Sequence, residues 1–370
     1  MIYFDNAATS PMSKVALDTM TQVLADTFGN PSSIHAYGRQ AAKILRESRQ
    51  TIAQVLGVKD SQILFTSGGT ESNNTAIKGY ALSHQHLGKH LITTAIEHHA
   101  VLEVMEDLVE EHGFELTIIP LIEGRIEAKQ VQEALRTDTI LVSTMMVNNE
   151  TGYQLPIEEI GQVLKDHQAV FHVDAVQAMG KIPVQPDLLG VDFLSASAHK
   201  FHGPKGVGFL YCKENHFDKL LQGGDQEDKR RAGTENLAGI AAMAAALKED
   251  MEGWQESLTH VEDLKNIFLD HLTVPYKINQ AENALPYVVN LSFPESNNAH
   301  VLLRMDLEGI AISTGSACTA GAVEPSHVLE ALYGQDAPEL ANSIRLSFSK
   351  YNRPEEAIQV AQTLNHIIGG

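Results

Sequence analysis

The chain has 370 residues, 43% of them hydrophobic, and its 47 acidic and 27 basic side chains give a formal net charge of −20. This length is enough for two domains with a sizeable core. The acidic balance disfavours nucleic acid or an anionic membrane surface as the main partner. We expect no secretory leader and no membrane span, because no apolar run approaches the length that a bilayer requires.

The hydrophobic pattern predicts two helices at the start and then an alternation of strands and helices. Strands are predicted over 63–65, 91–94, 116–120, 140–147, 169–173, 191–194 and 207–211, and helices over 14–28, 36–56, 101–110, 156–167 and 236–247. This alternation predicts a mostly parallel sheet flanked by helices, with ligands at the carboxyl ends of the strands. A second region follows a helix over 253–272, with strands over 287–293, 311–313 and 344–348 and helices over 298–307, 326–332 and 354–367.

A short segment at 66–74 reads Thr-Ser-Gly-Gly-Thr-Glu-Ser-Asn-Asn between a predicted strand and a predicted helix. Gly69 lets the backbone approach a ligand, and the helix N-terminus with the Thr70 hydroxyl can hold a phosphate. The segment matches neither the nucleoside-triphosphate nor the dinucleotide pattern. Taken alone, it is equally compatible with a simple helix cap.

Polar residues follow three of the predicted strands at corresponding positions. They are Glu97, His98 and His99 after the first, Asn148, Asn149 and Glu150 after the second, and Asp174 with Gln177 after the third. Each set alone is compatible with turn formation, but the three together indicate a site at one edge of the sheet. The 17 histidines show no spacing typical of a metal centre, so we expect no catalytic metal.

One lysine, Lys200, lies between two predicted core strands within residues 195–208. Burial disfavours the ammonium form, which suits an amine that captures a carbonyl cofactor. An exposed loop tip is the alternative for any single lysine. Another basic residue, Arg345, interrupts an apolar strand and either points at a substrate carboxylate or faces solvent.

Two cysteines, Cys212 and Cys318, are too few for a disulfide framework, so a reducing cytoplasmic compartment is expected. Cys212 ends an apolar run and is expected to fill the core. Cys318 lies in a loop of small polar residues that we expect to be mobile and partly exposed. An exposed thiol in such a loop suggests a chemical use.

Taken in order, these segments resemble the cysteine desulfurases, the NifS/IscS-like family in the class V aminotransferase group. The resemblance covers essentially the whole chain and is carried by residues 5–9, 67–73, 97–101, 147–152, 172–177, 197–200, 231–236 and 315–319. It implies the pyridoxal-phosphate fold type I, with a mostly parallel central sheet flanked by helices in a large domain of residues 15–252. A smaller α+β domain, residues 1–14 and 253–370, would carry the mobile cysteine loop at about 313–325.

The resemblance implies pyridoxal 5′-phosphate as the cofactor and a homodimer as the assembly. Lys200 would bind the cofactor covalently and move protons, and Asp174 would pair with the pyridinium nitrogen. Gln177 would hydrogen-bond the phenolic oxygen, and His98 would stack on the ring and assist proton transfer. The cofactor phosphate would be held by Gly69, Thr70, Ser197 and His199, together with Thr234 of a second subunit. The substrate carboxylate would be held by Asn149 and Arg345.

The implied reaction converts L-cysteine to L-alanine. The Cys318 thiolate would attack the substrate sulfur and carry it as a persulfide to an acceptor protein, for Fe–S cluster assembly or tRNA thiolation. Two positions depart from the family pattern: Gly69, where alanine is frequent, and Asp225, where a third glycine is expected near the dimer interface. The alternatives are an aminotransferase or selenocysteine lyase that does not need Cys318, and a cofactor-less sulfur carrier or scaffold protein.

Overall fold

A computed structural model describes residues 1–213, 216–279, 283–315 and 325–369. All of the predicted elements are present in these ranges, most with ends shifted by a few residues. The strands are β1 (Ile2–Tyr3), β2 (Ile63–Thr66), β3 (His90–Thr94), β4 (Glu115–Ile119), β5 (Thr139–Met145), β6 (Val170–Asp174), β7 (Phe193–Ser197), β8 (Gly208–Cys212), β9 (Lys277–Ile278), β10 (Val288–Ser292), β11 (Ile310–Ala311) and β12 (Ser343–Ser347).

Residues typical of helix caps bound the first two helices. Ser13 accepts a hydrogen bond from the Ala16 amide at the first helix, and Gly57 ends the second in the left-handed region with φ 70°. The helices are α1 (Lys14–Asp26), α2 (Ala36–Leu56), α3 (Gly69–His84), α4 (His99–His112), α5 (Ala128–Ala134), α6 (Ile157–Leu164), α7 (Pro186–Leu189), α8 (Leu237–Glu252), α9 (Trp254–Asp270), α10 (Asn298–Leu307), α11 (His327–Tyr333), α12 (Glu339–Asn342) and α13 (Pro354–Gly369).

A seven-stranded sheet forms the centre of the larger part of the chain. Its strand order is β2-β8-β7-β6-β5-β3-β4, and β8 runs antiparallel to both neighbours while the other pairs are parallel. Every residue of β2, β3, β5, β7 and β8 is buried, as expected for a sheet covered by helices on both faces. The predicted mostly parallel sheet is confirmed.

The second region joins the start of the chain to its end. Its three-stranded antiparallel sheet has the order β12-β10-β9, and β1 pairs in parallel with β11. The Ser347 amide donates to the Phe4 carbonyl at 2.7 Å, which ties the N-terminal segment to β12. These contacts agree with a small domain that combines residues 1–14 with the C-terminal part, and its boundaries stay a prediction. Within the described part of the chain, no helix is both long and apolar enough to span a membrane.

Candidate active site

The carboxyl ends of the parallel strands border a cavity of about 640 Å³. Segments after β2, β3, β5, β6 and β7 reach it, as the rule for open parallel sheets predicts. The lining includes ten of the residues that the sequence indicated, namely Gly69, Thr70, His98, Asn149, Asp174, Gln177, Ser197, His199, Lys200 and Arg345. Thr234 does not line this chain's cavity, and Cys318 lies outside the described residues.

Lys200 closes a single turn of helix, Ala198–Lys200, directly after β7. Its Nζ donates hydrogen bonds to the carbonyls of Ala7 at 2.6 Å and Ala8 at 2.8 Å, both in the N-terminal segment. The side chain is therefore held inside the cavity and is not the tip of an exposed loop. This arrangement places an amine where a carbonyl cofactor can be captured.

Asp174 ends β6 and is almost fully buried. One carboxylate oxygen accepts from the Val176 amide at 3.0 Å, and the other accepts from Asn73 Nδ2 at 2.8 Å. Both bonds fix the orientation of the carboxylate. Asn73 lies in the segment that the sequence singled out, but its role as the partner of Asp174 was missed because only the fold brings them together.

His98 caps α4, and its Nδ1 accepts a hydrogen bond from the Ala100 amide at 3.0 Å. In the neutral ring the proton must then be on Nε2. The pKa of His98 is lowered from its usual value, mainly by burial. The charge of Asp174 opposes this shift, and Lys200, His99 and His327 add to it. We therefore expect a neutral imidazole at neutral pH, which can stack on an aromatic ring and exchange a proton through Nε2.

The N-terminus of α3 forms one end of the cavity. Gly68 precedes the helix with φ 151° and offers no side-chain cap, so the first amides of the helix are open to an anion. At Gly69, a Cβ would lie 2.7 Å from Val176 Cγ2, so glycine instead of the more frequent alanine suits this tight contact. The departure noted in the sequence thus has a local reason.

Two further residues reach the same end from the turn after β7. Ser197 is buried, and His199 Nδ1 lies 3.2 Å from Thr9 Oγ1. Burial, together with the charges of Lys200 and Lys205, lowers the pKa of His199 to about 4, so the ring is neutral at neutral pH. Both residues can therefore contribute hydrogen bonds to a phosphate.

Arg345 occupies the opposite end and is 2% exposed. Its guanidinium donates to the carbonyls of Asn149 at 3.1 Å and Gly315 at 3.0 Å, and to Asp5 Oδ1 at 3.1 Å. The solvent-facing alternative is wrong, because the alternate face of β12 packs against the cavity and not against water. A buried guanidinium beside Asn149 suits a substrate carboxylate.

The sequence did not indicate how the segment that contains Cys318 is anchored. Glu150 accepts a hydrogen bond from Ser326 Oγ, and the Gly315 backbone packs so closely on the same carboxylate that a Cβ there would collide with it. Gly315 and Ser326 flank the undescribed residues 316–324. Both flanks are therefore fixed at the edge of the cavity by one buried side chain.

These features fit pyridoxal 5′-phosphate. The cavity offers an amine for its aldehyde, an oriented carboxylate for its ring nitrogen and an uncapped helix N-terminus for its phosphate. When it is bound, this cofactor supplies an electron sink for bonds broken at the substrate carbons. Among the described residues, no cluster of three potential metal ligands is present.

Comparisons with known proteins decide the family. The model of the family "Aminotransferase class-V" matches residues 2–360. The "Putative cysteine desulfurase IscS 1" of Bacillus subtilis is 48% identical, over 99% of this chain and 98% of its own length. The chain belongs to the cysteine desulfurases of the class-V aminotransferase family.

Solved structures agree with this assignment. A "NifS-like protein" superposes with a TM-score of 0.93 and 36% identity, covering 100% of this chain and 99% of that one. A structure titled "SspA in complex with cysteine" has a TM-score of 0.82 and 35% identity, covering 95% of this chain and 100% of that one. The predicted fold type, the cofactor and the class of enzyme are thereby confirmed for this cysteine desulfurase.

The loop that carries Thr234 is anchored beside the cavity of the desulfurase by two ion pairs. Glu227, which is buried with φ 50°, forms a bidentate pair with Arg49 at 2.6 and 2.8 Å. Arg231 pairs with Glu71 at 2.8 Å in the first turn of α3. Thr234 itself is exposed at the surface, so its predicted contact with the phosphate of a second subunit stays a prediction.

A buried carboxyl group, Glu97, gives a testable pH dependence. Burial raises its pKa to about 8, against hydrogen bonds from Thr94 Oγ1 and the Met145 amide that favour the ionised form. The native state therefore keeps a proton that the unfolded chain loses, and stability falls as the pH rises from about 4.5 to 8. Glu97→Gln has no proton to lose at this position. We therefore expect its free energy of unfolding to rise relative to that of the wild type by up to ~1.4 kcal/mol for each pH unit in this range.

Urea unfolding of the two proteins between pH 5 and pH 8 measures this difference. The exposed Glu47, which forms a surface ion pair with Lys43, provides the control as Glu47→Gln. We expect the control to stay within ~0.5 kcal/mol of the wild type at every pH. A Glu97→Gln advantage that does not change with pH would contradict the assignment of a protonated Glu97.

Proposed function

We propose that this enzyme converts L-cysteine to L-alanine and transfers the sulfur to Cys318, from which an acceptor protein collects it. The Cys318 thiolate attacks the substrate sulfur, so that a sulfur–sulfur bond forms while the carbon–sulfur bond breaks. The electron pair of the broken bond stays with the carbon skeleton, which takes up protons and leaves as alanine. The observation that carries this proposal is the anchoring of both flanks of the Cys318 segment beside Lys200's cavity.

The described residues have separate tasks in this reaction. Arg345 and Asn149 bind the substrate carboxylate and orient the Cα–H bond towards Lys200. The Lys200 amine would hold the cofactor and would be the base that moves the Cα proton. The neutral His98, with its Nε2 proton, is the second group that can exchange a proton with the substrate.

The reach of Cys318 follows from its covalent position. It is three residues after Gly315 in the sequence, and Gly315 is the last described residue before it. Gly315 accepts a hydrogen bond from Arg345, the proposed carboxylate-binding residue. This short tether supports a thiol that meets the sulfur of a substrate held by Arg345.

The proposal includes a homodimer and a cytoplasmic location. Four apolar side chains between the end of α1 and the start of α2 are largely exposed, at 66% for Leu24, 79% for Phe28, 92% for Ile34 and 54% for Tyr37. Such a patch is typical of an interface, and a second copy would also let Thr234 complete the phosphate site. A reducing compartment suits the reaction because Cys318 must be a thiol at the start of each cycle.

Incubation of the purified, cofactor-loaded enzyme with L-cysteine tests the proposal. We expect one alanine for each sulfur released to a thiol reductant, and a Cys318 peptide that is heavier by one sulfur atom before the reductant is added. Alanine formation without that added sulfur would refute the role of Cys318. Delivery to Fe–S cluster assembly or tRNA thiolation is then resolved by which acceptor protein removes the sulfur.

A further inference from the structure

Behind the cavity, a buried lysine contacts a residue of the proposed cofactor site. Lys181 is 9% exposed, and its Nζ donates a hydrogen bond to Gln177 Oε1 at 2.7 Å. The amide nitrogen of Gln177 donates to the Ala7 carbonyl at 3.0 Å, and that carbonyl also accepts from Lys200 at 2.6 Å. Lys181 does not line the cavity itself, so any hydrogen bond through which it acts there runs through another residue.

An amide side chain has two ends of similar shape and opposite hydrogen-bonding character. The ammonium of Lys181 can donate but cannot accept, so it selects the oxygen end of Gln177. The amide nitrogen is then directed towards Ala7 and the cavity, with one of its two hydrogens engaged by the Ala7 carbonyl. Rotation of the amide would place its N–H groups against the ammonium and leave a buried donor unsatisfied.

We propose that Lys181 is a positioning residue, which holds the Gln177 amide so that an N–H group, and not the oxygen, faces the cavity and the phenolic oxygen of the cofactor. The proposal rests on the proposed role of Gln177. Lys181 is four residues beyond Gln177, a spacing that places two side chains together in a helical turn. The same turn after β6 thus supplies both the contact and its support.

Burial, together with the charges of Lys200 and Arg345 and against that of Asp250, lowers the pKa of Lys181 to about 7, so Lys181 is an ammonium below that pH. The carboxylate of Asp250 from α8 opposes its charge, the Tyr287 ring lies 5.4 Å from Nζ, and Lys350 contacts Asp250 at 2.7 Å. Within the described part of the chain, the charged or titratable groups Lys200, Arg345 and His202 also act on it. Lys350 belongs to the same buried polar group, but no hydrogen bond joins it to Gln177 among the described contacts, so it provides a matched control.

The test is a pH titration of the visible absorption band of the protein loaded with pyridoxal 5′-phosphate. Loss of an N–H donor to the phenolic oxygen makes that oxygen more basic, so Lys181→Met should raise the apparent pKa of the band by about one unit. Removal of the positive charge of Lys181 would by itself also raise the pKa of the band. The titration is therefore repeated in a Gln177→Ala background, where a residue that acts through Gln177 has nothing left to position.

We expect Lys181→Met to raise the pKa of the band in the wild-type background and to leave that pKa unchanged in the Gln177→Ala background. Lys350→Met should leave the pKa unchanged in both backgrounds. An equal shift in both backgrounds would mean that Lys181 acts through its own charge, and no shift in either would remove its role. Both results overturn the proposal.

If Lys181→Met does not yield folded protein, the same cycle is run with Lys181→Gln, which keeps a polar group at the site and removes the ammonium. Its shift must also vanish in the Gln177→Ala background, and a shift that persists there is again decisive against positioning. The titration needs no turnover. A wild type that forms no alanine would therefore refute the proposed reaction without affecting this result.

Discussion

Replacement of Cys318 by alanine is expected to abolish sulfur transfer while the visible absorption of bound pyridoxal 5′-phosphate stays unchanged. The thiol is proposed as the nucleophile that takes the substrate sulfur, whereas the cofactor contacts come from residues of the strand ends. We expect alanine formation from cysteine to fall roughly a thousandfold or more, because no other described group offers a thiol at the cavity. Quantification of alanine and sulfide, with a spectrum of the same sample, measures both halves of the prediction.

The second cysteine of the chain supplies the control. Cys212 is fully buried at the end of β8, and it packs in the apolar cluster that contains Leu64 and Phe193. Cys212→Ala should keep the activity and lose about 1 kcal/mol of stability, the usual cost of removing one buried heavy atom. Full alanine formation in Cys318→Ala would instead favour an aminotransferase or selenocysteine-lyase type of reaction, in which Cys318 is not needed.

Most of the cavity could be predicted because parallel strands place their carboxyl ends at one edge. The pattern of apolar residues in the sequence predicts β3, β5 and β6. Because these strands are parallel, the polar residues directly after them lie at the same edge of the sheet. Position along the strands thus pointed to Asp174 and His98, and the place between two core strands pointed to Lys200, each with a structural alternative left open. The family resemblance added their separate roles.

The contacts that could not be predicted join segments that are distant in the chain. Arg345 reads as one polar residue in an apolar strand, and the period of two does not say whether its face meets water or the cavity. Glu150 meets Ser326 from 176 positions away. Such pairs depend on how the small sheet packs against the large one, which no local pattern specifies.

The contact between Lys181 and Gln177 was also missed, although the sequence contains a local signal for it. The spacing of four from Gln177 to Lys181 places both on one side of the turn after β6, as the hydrogen bond between them shows. A lysine is normally assumed to face solvent, and that assumption hides a buried one. Here Asp250 on α8, which is far away in the sequence, opposes the effect of burial on the pKa of Lys181.

Replacement of Lys200 by arginine is expected to remove covalent attachment of the cofactor. A guanidinium keeps the positive charge and can still donate to the Ala7 and Ala8 carbonyls, but it stays protonated and does not attack an aldehyde. Alanine formation should fall roughly a thousandfold or more, since both the attachment point and the base for the Cα proton are lost. Lys200→Ala should lose as much activity and also remove the Lys200 donor from the Ala8 carbonyl, whereas the Ala7 carbonyl keeps the Gln177 amide.

Borohydride reduction followed by peptide mass spectrometry measures the attachment directly. In the wild type, the reduced cofactor should be found on the Lys200 peptide, and in Lys200→Arg on no peptide. Lys181 and Lys205, which lie behind and beside the same cavity, are internal controls within one digest. An adduct on either of them in the wild type would contradict the assignment, because the Ala7 and Ala8 carbonyls hold the Lys200 amine, and neither of the others, at the position where the aldehyde must arrive.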